Sequence, residues 1–378
     1  MEEAHRIFLH PDLLRLTFLV GVVVSMVLYE WRHVSVGGIA VPGYLALTLF
    51  LPWIAPLALA NAFLVWLLCA QGICRWVVLS ARFRFGLFVL VSAVLFTVEQ
   101  EFLLAIRGAG TGDLILQGVG YVIPGLLAHD FARQGVLRVT VTTAAASAVV
   151  AAVLLGTVFL LPDLGRVYPS RVDGPMVPGA EWQSVLVVLS LTAWVFLTRW
   201  HHLRCGGILG GAYLSLLLLY PAELLKLVGL VIFTWLLLRL VLERVMLLFG
   251  KRRFAVSLLT AGFLSWLLYR LDEGLFGSQT IVAQSGAFAF VGVLVAGLIV
   301  NDLNHARILP TVGGLAANVL FTLSGGLFVA ELVEHGRWGV AVPLFLVFTG
   351  LVVLGLVRVH RVAPRPVPPS ALGTEAQL

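Results

Sequence analysis

Apolar residues run through this chain in blocks of membrane-spanning length, separated by short polar stretches. The clearest blocks are 13–29, 53–73, 85–106, 139–161, 184–197, 223–242, 311–332 and 340–357. A stretch of about 20 apolar residues matches the hydrocarbon core of a bilayer. The pattern predicts an all-α polytopic membrane protein with about 11–13 hydrophobic segments, some of them short or interrupted by Gly and Pro. Residues 1–11 are mixed in charge and no small-residue cleavage site follows 13–29, so that block is expected to be the first membrane helix and not a cleaved signal. Composition agrees. Of 378 residues, 60% are hydrophobic and 12% charged, and the mean hydropathy is +1.02. A soluble domain carries about 25% charged residues, and a soluble fold of this length could not hide so much apolar surface.

The blocks occur twice. Residues 33–54 read HVSVGGIAVPGYLALTLFLPWI and 202–223 read HLRCGGILGGAYLSLLLLYPAE. At one ungapped offset of 169 residues, Gly37-Gly38 pairs with Gly206-Gly207, Tyr44 with Tyr213, Pro52 with Pro221, Trp66 with Trp235, Arg75 with Arg244, and Arg84-Phe85 with Arg253-Phe254. Further on, PGLLAHDFARQGV at 124–136 faces AGLIVNDLNHARI at 296–308, now offset by 172, so that Asp130 meets Asp302. Hydrophobic composition alone does not align Trp, Tyr, Pro and Arg. The expected organisation is one membrane repeat over 1–165, a polar linker over 166–182, a second repeat over 183–358, and a disordered, basic, Pro-rich tail over 359–378.

Charge orients the segments. The most basic short loops are 75–84 (Arg75, Arg82, Arg84) and 244–253 (Arg244, Lys251, Arg252, Arg253), which the positive-inside rule assigns to the cytoplasm. Six candidate crossings separate them, an even number that returns the chain to one side. Residues 32–33, 133–138, 199–204 and the tail fall on that side too, and the balanced or acidic loops, including 162–181, fall outside. Residues 38–51 and their copy 207–220 are short for a span and carry Pro42-Gly43 and Gly210-Gly211; they are expected to cross only if stretched, or else to re-enter where protein or a wet cavity covers their backbone.

Interrupted segments at matching positions of two repeats point to a substrate site, here 37–44 with 206–213 and 123–130 with 295–302. Close packing of helices through small residues explains the same glycines equally well. Pro42 and Pro124 favour function, because a proline inside a membrane segment frees backbone carbonyls. Asp130 and Asp302 are candidates as membrane carboxylates, against the alternative of solvation at a helix end. His129 and Arg133 stand beside the first, Asn301 and His305 beside the second. The basic loops read either as topology signals and lipid contacts or as a collar for an anion or an acidic partner. Glu99 and Glu101 are expected to reach water or Arg107, and Glu223 to pair with Lys226. The three cysteines (Cys69, Cys74, Cys205) read as apolar fillers. No phosphate-binding Gly loop, His-Glu-x-x-His zinc motif or nucleophile elbow is present, so neither catalysis by this chain nor a cofactor or metal is expected. The net charge of +6 is spread over short loops, which gives no nucleic-acid surface.

Three stretches resemble a known family. The run Val36-Gly37-Gly38-Ile39-Ala40-Val41-Pro42-Gly43-Tyr44-Leu45-Ala46-Leu47 is similar to the N-terminal signature of the membrane subunit of poly-γ-glutamate synthesis, the PgsC/CapC family. The run Gly120-Tyr121-Val122-Ile123-Pro124-Gly125-Leu126-Leu127-Ala128, followed by Gln134-Gly135, resembles a second family motif. Between them, 82–85 and, more closely, 250–254 look like the family's basic loop and closing Phe. The usual member is about half this length, so the chain looks like a tandem fusion. Its second half departs from the pattern at Gly211-Ala212, Ala296 and Arg307.

The resemblance implies a non-catalytic subunit in the cytoplasmic membrane that anchors a cytosolic ATP-dependent amide ligase (PgsB/CapB-like), works with other envelope subunits and helps pass an anionic polymer outward. Gly37, Gly38, Pro42, Gly43, Tyr44, Pro124, Gly125, Asp130, Gln134, Gly135, Gly206, Gly207, Tyr213 and Asp302 would then line or support the route. The basic residues Arg75, Arg82, Arg84, Arg244, Lys251, Arg252 and Arg253 would form its collar. The alternative is a stand-alone secondary transporter for a small organic anion, with the repeats as rocking halves. An intramembrane enzyme using Asp130 and Asp302 is a third reading, lacking a nucleophile or metal partner.

Overall fold

The computed structural model describes residues 11–48, 54–76, 81–107, 122–160, 183–218, 220–246, 248, 250–276, 286–306 and 308–335. The linker 166–182, the apolar block 340–357 and the tail 359–378 lie outside the described residues. Among the described residues there are twelve helices and no strand. They fall into two sets of six. The first is α1 (Pro11–Arg32), α2 (Val41–Thr48), α3 (Ile54–Trp66), α4 (Ala81–Arg107), α5 (Ile123–Gln134) and α6 (Val136–Leu160). The second is α7 (Gln183–Trp200), α8 (Gly210–Leu217), α9 (Pro221–Leu237), α10 (Gly250–Phe276), α11 (Gly286–His305) and α12 (Ile308–His335). The 169-residue offset superposes α2 on α8 and α4 on α10 residue for residue. Even a local irregularity is repeated: α3 continues through a π-helical turn at Leu67–Ile73, and α9 through another at Leu238–Leu242.

Stretches Ala55–Trp76, Val136–Leu160, Glu223–Val245 and Ile308–Glu331 are long and apolar enough to cross a bilayer, and shorter apolar helices accompany them. Their outer faces carry exposed Phe63, Leu64, Leu67, Leu225, Ile232 and Phe233. In water such a surface would aggregate; in lipid it is the solvent-compatible face. This is a membrane protein of two homologous helical repeats.

The short segments form half-helices. Helices α2 and α8 have eight residues each, about 12 Å at ~1.5 Å per residue, less than half of a ~30 Å hydrocarbon core. Residues 41–47 and 210–217 are buried throughout. In the first repeat α2 is packed by α1 and α6; in the second α8 is packed by α7 and α12. That cover is what non-spanning backbone at membrane depth requires.

The prolines differ from expectation. Pro42 and Pro124 do not interrupt helices; they occupy the first turns of α2 and α5. There the missing N–H would have had no intrahelical partner, and the fixed φ favours helix entry. The adjacent glycines set interhelical distance. A Cβ on Gly43 would sit 2.9 Å from the Thr17 carbonyl oxygen, and one on Gly125 would sit 2.7 Å from Val89 Cα in α4. In the second repeat Gly297 holds the position of Gly125, and its Cβ would meet Leu258. Glu223 and Lys226 pair at 3.7 Å as expected, but Glu99 accepts a 2.8 Å hydrogen bond from Asn61 of α3, a buried partner invisible to a search limited to nearby charges.

The repeats meet through one contact made twice. Helix α1 packs on α10, and its counterpart α7 packs on α4, the counterpart of α10. This is the reciprocal arrangement of a two-fold interface, here within a single chain. One buried apolar cluster runs across it, from Phe18 and Val22 to Leu191, Leu258 and Val295. Small residues permit the approach, since a Cβ on Gly86 would meet Trp194 at 2.8 Å and one on Gly262 would meet Leu19 at 2.5 Å.

Gly125→Val should therefore lower the unfolding free energy of the purified protein by about 1–3 kcal/mol or more through overpacking. Gly156→Ala, at a helical position with open space around it, should be neutral or stabilising by up to about 1 kcal/mol. Denaturant titration in detergent measures both.

Candidate functional site

Each repeat carries the same loop. Helices α1 and α7 are followed by His33 and His202, both at φ +52°, a left-handed conformation uncommon for a residue with a side chain. The chain then turns back toward the half-helix through Gly37 and Gly38 (φ +79° and +117°) or Gly206 and Gly207 (+70° and +81°). These angles are open to glycine at little cost. Space adds a second restriction, because a Cβ on Gly37 would lie 2.4 Å from Leu127 Cδ2.

A carboxylate holds each loop. The Gly37 N–H donates to Asp130 Oδ2 at 3.0 Å, and the Gly207 N–H donates to Asp302 Oδ2 at 3.0 Å. Asp130 and Asp302 therefore anchor backbone from the start of their own repeats. Hydroxyls satisfy further loop carbonyls: Ser25 donates to Ile39 and Ser190 to Ile208, the equivalent residue.

The two loops are finished differently. In the first, Gln134 grips Ser35 on both backbone groups: the Ser35 N–H donates to Gln134 Oε1 at 3.1 Å, and Gln134 Nε2 donates to the Ser35 carbonyl at 3.3 Å. In the second, Arg204 replaces Ser35 and Ala306 replaces Gln134. The Arg204 guanidinium instead reaches Asp302 Oδ1 at 3.4 Å.

This substitution sits on a cavity between the repeats. A space of about 560 Å³ is lined by Arg84, Phe85, His129 and Arg133 of the first repeat and by Trp194, Thr198, His202, Leu203, Arg204 and Asp302 of the second. Three guanidiniums thus line one space with a single carboxylate. Phe85 stands edge-on to His129 (ring centroids 5.3 Å apart) and to Trp194 (6.3 Å), forming an aromatic wall. Because residues of both Gly-loop ends line one cavity, the repeats run parallel and open at the same end of the molecule.

Residues 20–140 and 187–312 each match the family described as capsule biosynthesis CapC. The chain belongs to the CapC family. It is similar to the PGA biosynthesis protein CapC of Bacillus subtilis (strain 168), 26% identical over 122 residues, and to the capsule biosynthesis protein CapC of Bacillus anthracis, 26% identical over 130 residues. Those alignments take in 32% and 34% of this chain but 80% and 85% of the relatives. A CapC relative is thus about one repeat long, and this chain carries two. No solved structure matches.

The residues that the repeat and the resemblance point to fall into distinct places. Gly37, Gly38, Gly206, Gly207, Asp130 and Asp302 form the anchored loops, and Gln134 belongs to the first. Gly135, at φ +89°, is the joint between α5 and α6. Tyr44 and Tyr213 are buried in the core, and Pro42, Gly43, Pro124 and Gly125 are packing residues of α2 and α5. Of the predicted collar residues whose side chains are described, Arg84 lines the cavity. Arg75 and Arg244 are exposed at the ends of the third helices, and the side chain of Arg82 lies outside the description. Arg252 pairs with Glu30, Arg253 pairs with Glu243, and Lys251 lies 4.3 Å over the Tyr29 ring, in the field of Asp130 and Arg133. Of the other cavity residues, His202 is the repeat partner of His33, and His129 and Arg133 stand beside Asp130, but Arg204 and Trp194 were not singled out. The signal that finds Arg204 is the reverse of a repeat: a cation in one copy set against a neutral residue, Ser35, in the other.

Gln134→Ala should cost about 1–3 kcal/mol, because it leaves two part-buried backbone groups of Ser35 unpaired. Glu30→Gln, which breaks a solvent-exposed ion pair, should leave the denaturation midpoint unchanged. The two substitutions can be compared in one denaturant series.

Proposed function

We propose that this protein is the multi-pass subunit, seated in the cytoplasmic membrane, of a complex that makes and exports poly-γ-glutamate or a related acidic, amide-linked polymer. It anchors a cytosolic ATP-dependent amide ligase and receives the polymer at its cationic end. The observation that carries this reading is the presence of the CapC match in both halves, with the basic turns of both halves converging on one end. Positive-inside orientation puts that end in the cytosol. The anchored Gly loops form its rigid floor, and the basic turns form its collar. Arg75, Arg84 and Arg244 supply the open charge, since Arg252 and Arg253 are engaged by Glu30 and Glu243. A polyanion is drawn to such a rim by a field that acts beyond contact distance.

A cavity between parallel repeats also suits the second reading, a transporter that moves a small organic anion unaided. Two measurements separate them. Affinity purification of the tagged protein from its native membrane should bring down an ATP-dependent amide ligase, and replacing Arg75, Arg84 and Arg244 together by Gln should reduce polymer output roughly tenfold at unchanged protein level. Uptake of glutamate into liposomes holding this protein alone, with no ligase recovered, would favour the transporter.

A further inference from the structure

The two-fold relation between the repeats generates two equivalent positions, and the chain finishes their polar groups differently. At one, Arg253 (the counterpart of Arg84) pairs with Glu243, Ser35 (the counterpart of Arg204) is clamped by Gln134, and Lys251 lies over Tyr29. At the other, the cavity, the partners matching Glu243 and Gln134 are missing. Cys74 stands where Glu243 stands in the other half, and Arg199 stands in place of Glu30. Among the described residues, Arg84 and Arg133 have no acidic partner, whereas Arg253 has Glu243, although Nε of both Arg84 and Arg253 is buried without a hydrogen-bond partner. Arg204 shares its one carboxylate, Asp302, with the Gly207 N–H.

Like charges gathered against an aromatic wall repel one another at reduced dielectric, and Arg84, part-buried without an anion, is costly; Arg133 stands exposed at the rim. The scaffold has a remedy for that cost and uses it on the opposite side. A volume of about 560 Å³ is in the range of organic-ligand sites. The three guanidiniums come from α4, α5 and the loop after α7, and so approach from separate directions. That placement suits several carboxylates spaced along a chain, each met by one fork, better than one compact phosphate, which needs converging donors.

We infer that the cavity is a binding site for the carboxylates of a γ-linked glutamate chain. Arg84 and Arg133 are its open cations, and Arg204 is shared between Asp302 and the chain. This deepens the reading under Proposed function and rests on it for the identity of the chain. The same guanidiniums could hold a lipid phosphate, so the test has an arm for that source.

The full-length protein is placed in nanodiscs of phosphatidylcholine, and a short γ-linked glutamate oligomer is titrated in by calorimetry. Arg84→Gln and Arg133→Gln should each weaken binding by about tenfold or more, whereas Arg138→Gln, an exposed basic residue off the cavity, should not. Cys74→Glu supplies the closing carboxylate of the opposite half, removes no cavity residue, and should weaken binding as Arg84→Gln does. It keeps the test decisive if an arginine variant fails to fold. Inorganic phosphate, and phosphatidylglycerol added to the disc, should not displace the oligomer at matched concentration. Absence of oligomer binding, equal affinity across all variants, or displacement by phosphate or phosphatidylglycerol would each overturn the site. Ligase recovery and polymer output are scored separately, so the site can fail while the subunit role stands.

Discussion

The structure depends on a backbone problem and its solution by two carboxylates. Each repeat sends a glycine loop and an eight-residue helix into the protein interior, where an N–H without a partner costs about 1–3 kcal/mol. With Gly37 and Gly207 buried, the protein must supply the partner. Asp130 and Asp302 do, each reaching from the end of the fifth helix of a repeat to the loop after its first helix. The bond ties together segments separated by 93 or 95 residues, and it brings the end of α5 or α11 to the level of the loop. Everything the cavity needs follows from that placement: His129 and Arg133 flank the first anchor, and Arg204 sits on the second.

Duplication then provides a scaffold in which function can be asymmetric. The interface between α1 and α10 recurs between α7 and α4, so the halves are held by equivalent packing. What differs is the polar finish. One of the two equivalent positions, built from Gln134 and Glu30 of the first repeat and Glu243 of the second, pairs its polar groups. The other places Arg204 and Cys74 at positions matching Ser35 and Glu243, and keeps its guanidiniums beside open space. A protein one repeat long has a single sequence for both roles. A fused pair can keep one copy of the loop as structure and alter the other.

Much of this was legible in the sequence, because helix lengths and identical side chains at a fixed offset are properties of the chain itself. Gly37 with Gly206, Asp130 with Asp302 and the shortness of α2 and α8 all emerge from alignment of the halves. Three things did not. That each aspartate bonds the glycine loop of its own repeat is a long-range contact with no local signature. That Pro42 and Pro124 begin helices depends on where the first turn falls, which apolar runs do not mark. The cavity has no repeated signature: Arg133 and Arg204, which line it, have His305 and Ser35 as counterparts, so identity between the halves does not mark it.

The central claim is that one carboxylate holds the glycine loop of each repeat independently. Amide hydrogen exchange of the purified protein tests it most directly, in Asp130→Ala and Asp302→Ala variants. Loss of Asp130 should speed exchange across residues 34–40 and leave 203–209 protected, and loss of Asp302 should do the reverse. Loops that stay equally protected in both variants, or that loosen together in either, would contradict the account.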